Sequence, residues 1–439
     1  MNSLVKRIPI STQTANIVRG SGTAFLLQIV GAILAYLLQV FLARWIGQDG
    51  YGNYVFAYSW AQVLAVFGAL GLTISILKFL PEYLANQDWA SVRGLLFAFR
   101  GLVILAGSLL TILAMVFFLH WPQGEIDPLV LGFGLLLVPL IALKDLQTET
   151  IRGLERIAQA FAPPYILQPI LVAGSAIFFL LTTGSLTAAT AVWSLAASLL
   201  VVLVIQFLII KNLTKPASFV KPSFSITQWL QPSVSLLVVQ GSLVVAGRAD
   251  VIVVGWMRGA AAAGVYSAAS RTAFLISFVL IAVNAVIAPK IAPLFGNKDI
   301  RGLQALVSSG TRLAAGIGIF ATLGMIAFSN LILGIFGTGF QLGQSVLIIL
   351  AIGQMINVAT GPVGNLMHLT GNQKLSAKVY FGAAVLCVVL NILLVPRLGM
   401  NGAAIATAST MALQNMILYA LVRRYLGIEP MGFRVKLPK

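Results

Sequence analysis

Five ionisable residues fall inside segments otherwise too apolar to hold them: Arg100, Arg248, Asp250, Arg271 and Arg312. Four are arginines, and arginine grips phosphate oxygens through a planar, bidentate fork. A mainly cationic set of this kind suits an anionic cargo. One ionisable side chain at a bilayer centre costs about 2.5–3.5 kcal/mol, so five facing lipid would cost on the order of 12–17 kcal/mol. They must instead face water, a ligand or one another. Asp250 and Arg271 fall at comparable depth on consecutive spans, so an Asp250–Arg271 ion pair is expected, with Asp250 either structural or coupled to ion flow. Arg100 and Arg312 are expected at matching depths nearer the cytoplasm. The competing reading gives each arginine a carboxylate, a helix-end carbonyl or a route to the interface.

Other polar groups are weaker signals. Gln28, Gln39, Gln62, Gln240, Gln354 and Asn357 lie within spans. They can meet sugar hydroxyls, although such groups more often join helices. Asp145 and Glu149 share a helix face near the inner end of a span. Carboxylates in transport proteins bind H⁺ or Na⁺, but Lys144 and Arg152 stand beside these two and balance them. His120 and His368 lack companion ligands, and Cys387 is alone, which leaves no metal site and no disulfide framework.

The elements that must position these groups are membrane helices. The 439 residues are 59% hydrophobic and 9% charged, against roughly 25% charged in soluble domains. Mean hydropathy is +0.97. Twelve segments reach the length of about 20 apolar residues that spans a bilayer. They lie near 21–45, 53–79, 95–119, 129–150, 161–183, 186–211, 229–256, 262–289, 304–329, 339–367, 376–396 and 401–423. With the N-terminus inside, 21 basic residues fall on the cytoplasmic side, Lys144 among them, and three (Arg44, Arg258, Arg397) outside. Loop charge asymmetry therefore places both termini in the cytoplasm and accounts for most of the +17 net charge without nucleic acid.

The chain also repeats. Gly47, Gly52, Tyr54, Ala57, Ala61 and Pro81 recur 212 positions later as Gly259, Gly264, Tyr266, Ala269, Ala273 and Pro293. Arg93-Gly94-Leu95 recurs as Arg301-Gly302-Leu303, 208 positions on, which implies a few residues missing from the second copy. Gly153 with Arg156 is echoed by Gly371 with Lys374, and Gly184 by Gly399. Six spans per copy make the two copies parallel repeats. The expected organisation is an N-terminal six-helix lobe (1–211), a linker (212–228) and a C-terminal six-helix lobe with a short basic tail (229–439). The fold class is an all-α, multi-pass membrane protein. The positions that pair with Arg248, Asp250 and Arg271 at the 212 offset are Tyr36, Leu38 and Ser59, so the charge sits in one copy only.

Leu42-Ala43-Arg44-Trp45-Ile46-Gly47 followed by Tyr51-Gly52-Asn53-Tyr54 closely resembles the first hairpin of oligosaccharide flippases. These belong to the multidrug/oligosaccharidyl-lipid/polysaccharide superfamily. Lys78-Phe79-Leu80-Pro81-Glu82-Tyr83, Arg152-Gly153-Leu154-Glu155-Arg156 and Gly264-Val265-Tyr266-Ser267-Ala268-Ala269-Ser270-Arg271 are similar to the same family. The resemblance covers essentially the whole chain. It implies two lobes rocking about a central V-shaped cavity in the cytoplasmic membrane. The implied cargo is a polyprenyl-diphosphate-linked oligosaccharide for O-antigen, exopolysaccharide or similar synthesis. Coupling to H⁺, Na⁺ or the membrane potential is implied, as is work beside a glycan polymerase or export machinery. Arg271 matches a diphosphate-contacting position of related lipid II flippases, and Arg19, ahead of the first span, matches another more weakly. Two alternatives stay open: a cation-coupled exporter of small amphipathic molecules, and a membrane-embedded glycan polymerase or glycosyltransferase. The first is disfavoured because Asp250 is shadowed by Arg248. The second is disfavoured because the outer loop near 120–128 offers only Glu125 and Asp127.

Overall fold

The computed structural model describes residues 10–120 and 125–431, with only the backbone of residues 10–21 and Ala24. Among the described residues the structure is entirely helices and their connections. Ten stretches are long and apolar enough to cross a membrane. Two of them are double crossings. Ile10–Gly68 has 59 residues, roughly 90 Å of helix against a hydrocarbon core of about 30 Å. It breaks at Gly47 (φ 71°, ψ −178°). Gln373–Leu426 breaks in the same manner at Gly399 (φ 58°, ψ −139°). Side chains on the two sides of such breaks meet. The Tyr266 hydroxyl donates to the Asp250 carboxylate at 2.8 Å across Gly259. In a straight helix those residues would stand about 24 Å apart. Glycine supplies the left-handed backbone at each reversal, so no loop is needed.

Twelve crossings result. The first two are residues 10–46 and 48–85, the third Trp89–His120, the fourth 128–153, the fifth 157–183 and the sixth Ala188–Leu213. The seventh joins Ile226–Ala246 to 249–258, and the eighth is 260–296. The ninth is Ile300–Ala327, the tenth 340–369, and the last two are 373–398 and 400–426. Large apolar side chains such as Leu119, Leu181 and Phe320 point outward, where lipid replaces a protein core.

The repeat is visible in backbone conformation. Gly47 and Gly259 share the same unusual dihedrals. Gln87 (φ 56°) and Lys298 (φ 57°) occupy equivalent turns. There the Asp88 N–H reaches the Tyr83 carbonyl at 2.9 Å, and the Asp299 N–H reaches that of Leu294 at 3.0 Å. Asp88 then caps Ser91, and Asp299 caps Gly302. The Ser91 hydroxyl and N–H hold the Asp88 carboxyl below its usual range. The offset here is 211, so only one residue is missing and the Arg-Gly-Leu match at 208 is not a structural equivalence. Arg93 instead donates to the carbonyls of Ser218 and Val220, at 3.0 and 2.6 Å, and fastens the segment after the sixth span. Later, Glu155 (φ 59°) pairs with Gly371 (φ 86°). That register of 216 corrects the 218 expected from Gly153.

The two copies cross through glycine. A methyl group on Gly52 would overlap the Ala260 carbonyl oxygen, and one on Gly264 would lie 2.6 Å from the Gln48 carbonyl oxygen. The tips of the first and second hairpins thus pack backbone to backbone at the end of the bundle that loop charge assigns to the outside. At the other end the seventh span leans on the second. Trp229 Nε1 donates to the Tyr83 hydroxyl at 2.9 Å, and Ser75 and Ser233 share a 2.6 Å hydrogen bond.

Gly52→Ala should therefore destabilise the protein by about 1–3 kcal/mol through overpacking. Gly174→Ala, at a helical site with open space, should be neutral or gain up to about 1 kcal/mol of helix propensity. Thermal melting of both variants in detergent checks this. Equal melting temperatures would refute the tight crossing.

Candidate functional site

The seventh span breaks at Gly247 and Arg248, which the hydropathy pattern did not reveal. Arg248 has φ −131° and ψ −17°, and the helix restarts at Ala249. The break sets Arg248 at a helix N-terminus, about 15 Å below the outer end of its span. Arg271 lies on the eighth span at a similar depth. Both are half-buried, and each guanidinium feels the other's charge. The nearest hydrogen-bonding group to Arg271 is Ser267, whose Oγ accepts from Nε at 3.3 Å. Tyr51 of the opposite lobe lies beside Arg271, and Tyr58 lies beside Arg248.

The expected Asp250–Arg271 ion pair is absent. Asp250 is 4% exposed. Its carboxylate accepts from Tyr266 Oη at 2.8 Å, Thr407 Oγ1 at 3.4 Å and the Val251 N–H at 2.8 Å. Three hydrogen-bond donors thus satisfy it, from the eighth span, the twelfth span and its own backbone. The two arginines keep most of their positive charge for whatever enters between the lobes. Three ion pairs occur among the described residues: Lys144–Asp145 at 2.9 Å, Arg152–Glu149 at 3.1 Å and Arg423–Glu429 at 3.1 Å. None involves the seventh or eighth span.

The other candidates scatter. Arg100 lays its guanidinium over the Phe207 ring, 5.1 Å from the centroid, within the first lobe. Arg312 is exposed and donates to the Ser308 carbonyl at 3.2 Å. Neither is brought to Arg248 and Arg271 by a described contact. The side chain of Arg19 lies outside the described residues. Gln39 accepts from the Tyr51 hydroxyl at 3.0 Å and braces the first hairpin. Gln354, Asn357 and Asn415 form a chain linking the tenth and twelfth spans. These amides join helices. Gln28, Gln62 and Gln240 are half-buried.

Lys144, counted by sequence with the cytoplasmic basic residues, is largely buried, with 15% of its side chain exposed. It sits nine residues before the end of the fourth span's helix, about 13 Å up from that end. Its neighbours are Asp145, Tyr58 and Tyr165. Tyr51, Tyr54 and Tyr58 form a stacked ladder on the second span, with successive ring centroids 6.4 and 6.1 Å apart. Its Tyr51 end lies within reach of the Arg271 charge and its Tyr58 end within reach of the Lys144 charge.

The outer acids have structural work. Asp127 caps the fourth span by accepting from the Leu129 N–H at 2.9 Å, and its own N–H donates to Asn53. Glu125 packs over Gly259. Arg258 donates to the carbonyls of Val395 and Pro396, tying the seventh span to the eleventh.

Comparison with known proteins fits this architecture. The family model described as "Polysaccharide biosynthesis protein" matches residues 17–295, and that described as "MatE" matches residues 235–393. The chain belongs to the polysaccharide biosynthesis protein family, a multi-pass membrane family of the twelve-helix multidrug/oligosaccharidyl-lipid/polysaccharide fold. It is 25% identical over 406 residues to the probable low-salt glycan biosynthesis flippase Agl15 of Haloferax volcanii, covering 92% of this chain and 83% of that one. The lipid II flippase MurJ, in an inward closed conformation, superposes with a TM-score of 0.71 at 19% identity, covering 91% and 87% of the two chains. A multidrug resistance transporter of the superfamily scores 0.69 at 15% identity in its inward-facing form, covering 89% of this chain and 98% of its own. An outward-facing form scores 0.61 at 14% identity, with 93% and 96% covered.

Asp250→Ala strands three donors and should cost about 1–3 kcal/mol. Arg271→Ala gives up one long hydrogen bond and relieves a repulsion, so it should fold as well as the parent. Membrane abundance and melting temperature of the two variants check the difference. Equal loss in both would show that Arg271 carries structure.

Proposed function

We propose that the protein is a flippase that carries a polyprenyl-diphosphate-linked oligosaccharide from the inner to the outer leaflet of the cytoplasmic membrane. The observation that supports this most directly is the pair Arg248 and Arg271, half-buried between the lobes and in no ion pair with a carboxylate among the described residues. Two arginine forks side by side repel each other until an anion with several oxygens arrives, and a diphosphate is such an anion. The family membership and the name of the Haloferax relative support a glycan-linked cargo.

Alternating access follows from the packing. Opening the outer end would part the glycine crossing, and opening the inner end would part the Trp229–Tyr83 and Ser75–Ser233 contacts, while the arginines stay with the second lobe. The lipid tail remains in the bilayer and only the head group crosses. An inside-negative potential favours outward movement of anionic charge by about 2.3 kcal/mol per charge per 100 mV. Asp250 is the carboxylate best placed to couple H⁺ or Na⁺ to this movement, being joined by hydrogen bonds to the eighth and twelfth spans. With Asp127 and Glu125 engaged in packing, a carrier is favoured over a polymerase. The glycan is handed to polymerase or export machinery outside. Both termini are cytoplasmic, and the lobes divide at the 212–228 linker.

The test is reconstitution of the full chain into proteoliposomes with a fluorescent polyprenyl-diphosphate oligosaccharide. Label should cross leaflets. Arg271→Ala should slow crossing about ten- to a hundred-fold, the loss of charge-assisted contacts to phosphate, with unchanged elution from gel filtration. Wild-type rates in Arg271→Ala would remove the diphosphate from this position.

A further inference from the structure

The first lobe carries a second polar cluster, which has Tyr58 in common with the arginine pair and differs from that pair in charge. Lys144, Asp145, Glu149 and Arg152 on the fourth span sum to zero and are joined in two ion pairs. Asp145 is half exposed, at 51% of its side chain. Tyr58 and Tyr165 lie within electrostatic reach of Lys144. Tyr165 is brought there by local backbone chemistry. Pro163 and Pro164 remove two N–H donors, and residues Pro163–Leu167 form a π-helical turn. The first span approaches that turn at Gly31, where an added methyl would lie 2.6 Å from the Tyr165 Cβ. Tyr165 nevertheless remains 38% exposed. Gln28, one turn before Gly31, shares its helix face.

This cluster is wrong for phosphate and right for a sugar. Two carboxylates next to the lysine would repel an anion. A hydroxyl both donates and accepts, so a fixed ammonium–carboxylate pair offers it both partners. Tyrosine rings present flat apolar faces for the C–H side of a pyranose, with a hydroxyl at the rim. We propose that the head group is divided between the lobes, with Arg248 and Arg271 holding the diphosphate and Tyr58, Tyr165 and the Lys144–Asp145 pair holding the adjoining sugar. This rests on the flippase reading. It makes Tyr165 and Lys144 specificity-determining residues, and it makes the sugar the group that spans the lobes.

The test measures binding to the purified full chain in detergent. The probes are farnesyl diphosphate and farnesyl diphosphate bearing glucose, galactose or N-acetylglucosamine. At least one glycosylated probe should bind about tenfold more tightly than farnesyl diphosphate, the worth of one or two net hydrogen bonds. Tyr165→Ala and Lys144→Ala should erase that advantage and leave farnesyl diphosphate binding unchanged. Tyr165→Phe, which keeps the ring, should retain most of it. Arg271→Ala should weaken every probe. No advantage for any sugar, or equal weakening of all probes by Tyr165→Ala, overturns the division while Arg271-dependent binding upholds the flippase site. Arg271-independent binding, or none, removes both.

Discussion

The fold depends on two helical hairpins crossing at their tips without side chains between them. Gly52 meets Ala260, and Gly264 meets Gln48, at distances that only a bare backbone allows. In lipid no hydrophobic force drives helices together, so close packing supplies the attraction. Small residues let two helices share the most surface. The reversals at Gly47 and Gly259 come five residues before those glycines in each copy. The same local geometry therefore makes the hairpin and brings it to its partner. A contact made of backbone, on the axis that relates the repeats, holds that end of the bundle closed until the lobes part.

Once the lobes are held there, electrostatics decides what lies between them. Each charge in the apolar zone must find a partner, and most do. Asp250 finds two hydroxyls and an N–H, Arg258 two carbonyls, and Lys144 and Asp145 each other. Arg248 and Arg271 differ in being two like charges at one depth, each within reach of the other's field. Such an arrangement is costly in isolation and is relieved by an anionic ligand. The break in the seventh span compounds it, because a helix N-terminus adds partial positive charge beside Arg248.

Much of this was legible in residue order. Span count, repeat and charged copy follow from hydropathy and a constant offset. The reversal glycines could be read because left-handed backbone selects that residue. Three features were not legible. The Asp250–Arg271 pair was inferred from depth alone, and depth says nothing about rotation around a helix axis; Tyr266 and Thr407 were nearer. The charge rule counts Lys144 by its nearness to a span end, and sequence position does not show that its side chain is largely buried. The turn at Tyr165 was signalled by Pro163-Pro164, but whether prolines kink, end or widen a helix depends on what packs against them. Here Gly31 leaves room for widening.

The repeat itself then separates architecture from chemistry. Positions that kept their identity across the copies, such as Gly47 and Gly259 or Tyr54 and Tyr266, reverse or pack the chain. Tyr266 adds a hydrogen bond to Asp250 that Tyr54 has no counterpart for, since Leu38 stands at the matching site. Positions that diverged carry the charges: Arg248 against Tyr36, Arg271 against Ser59. Tyr51 and Tyr58 of the first copy lie within reach of the charges on Arg271 and Arg248 of the second. A symmetric scaffold with asymmetric faces can grip the two ends of one head group differently. A single rocking motion would then move the phosphates and the sugar together while their contacts stay separate.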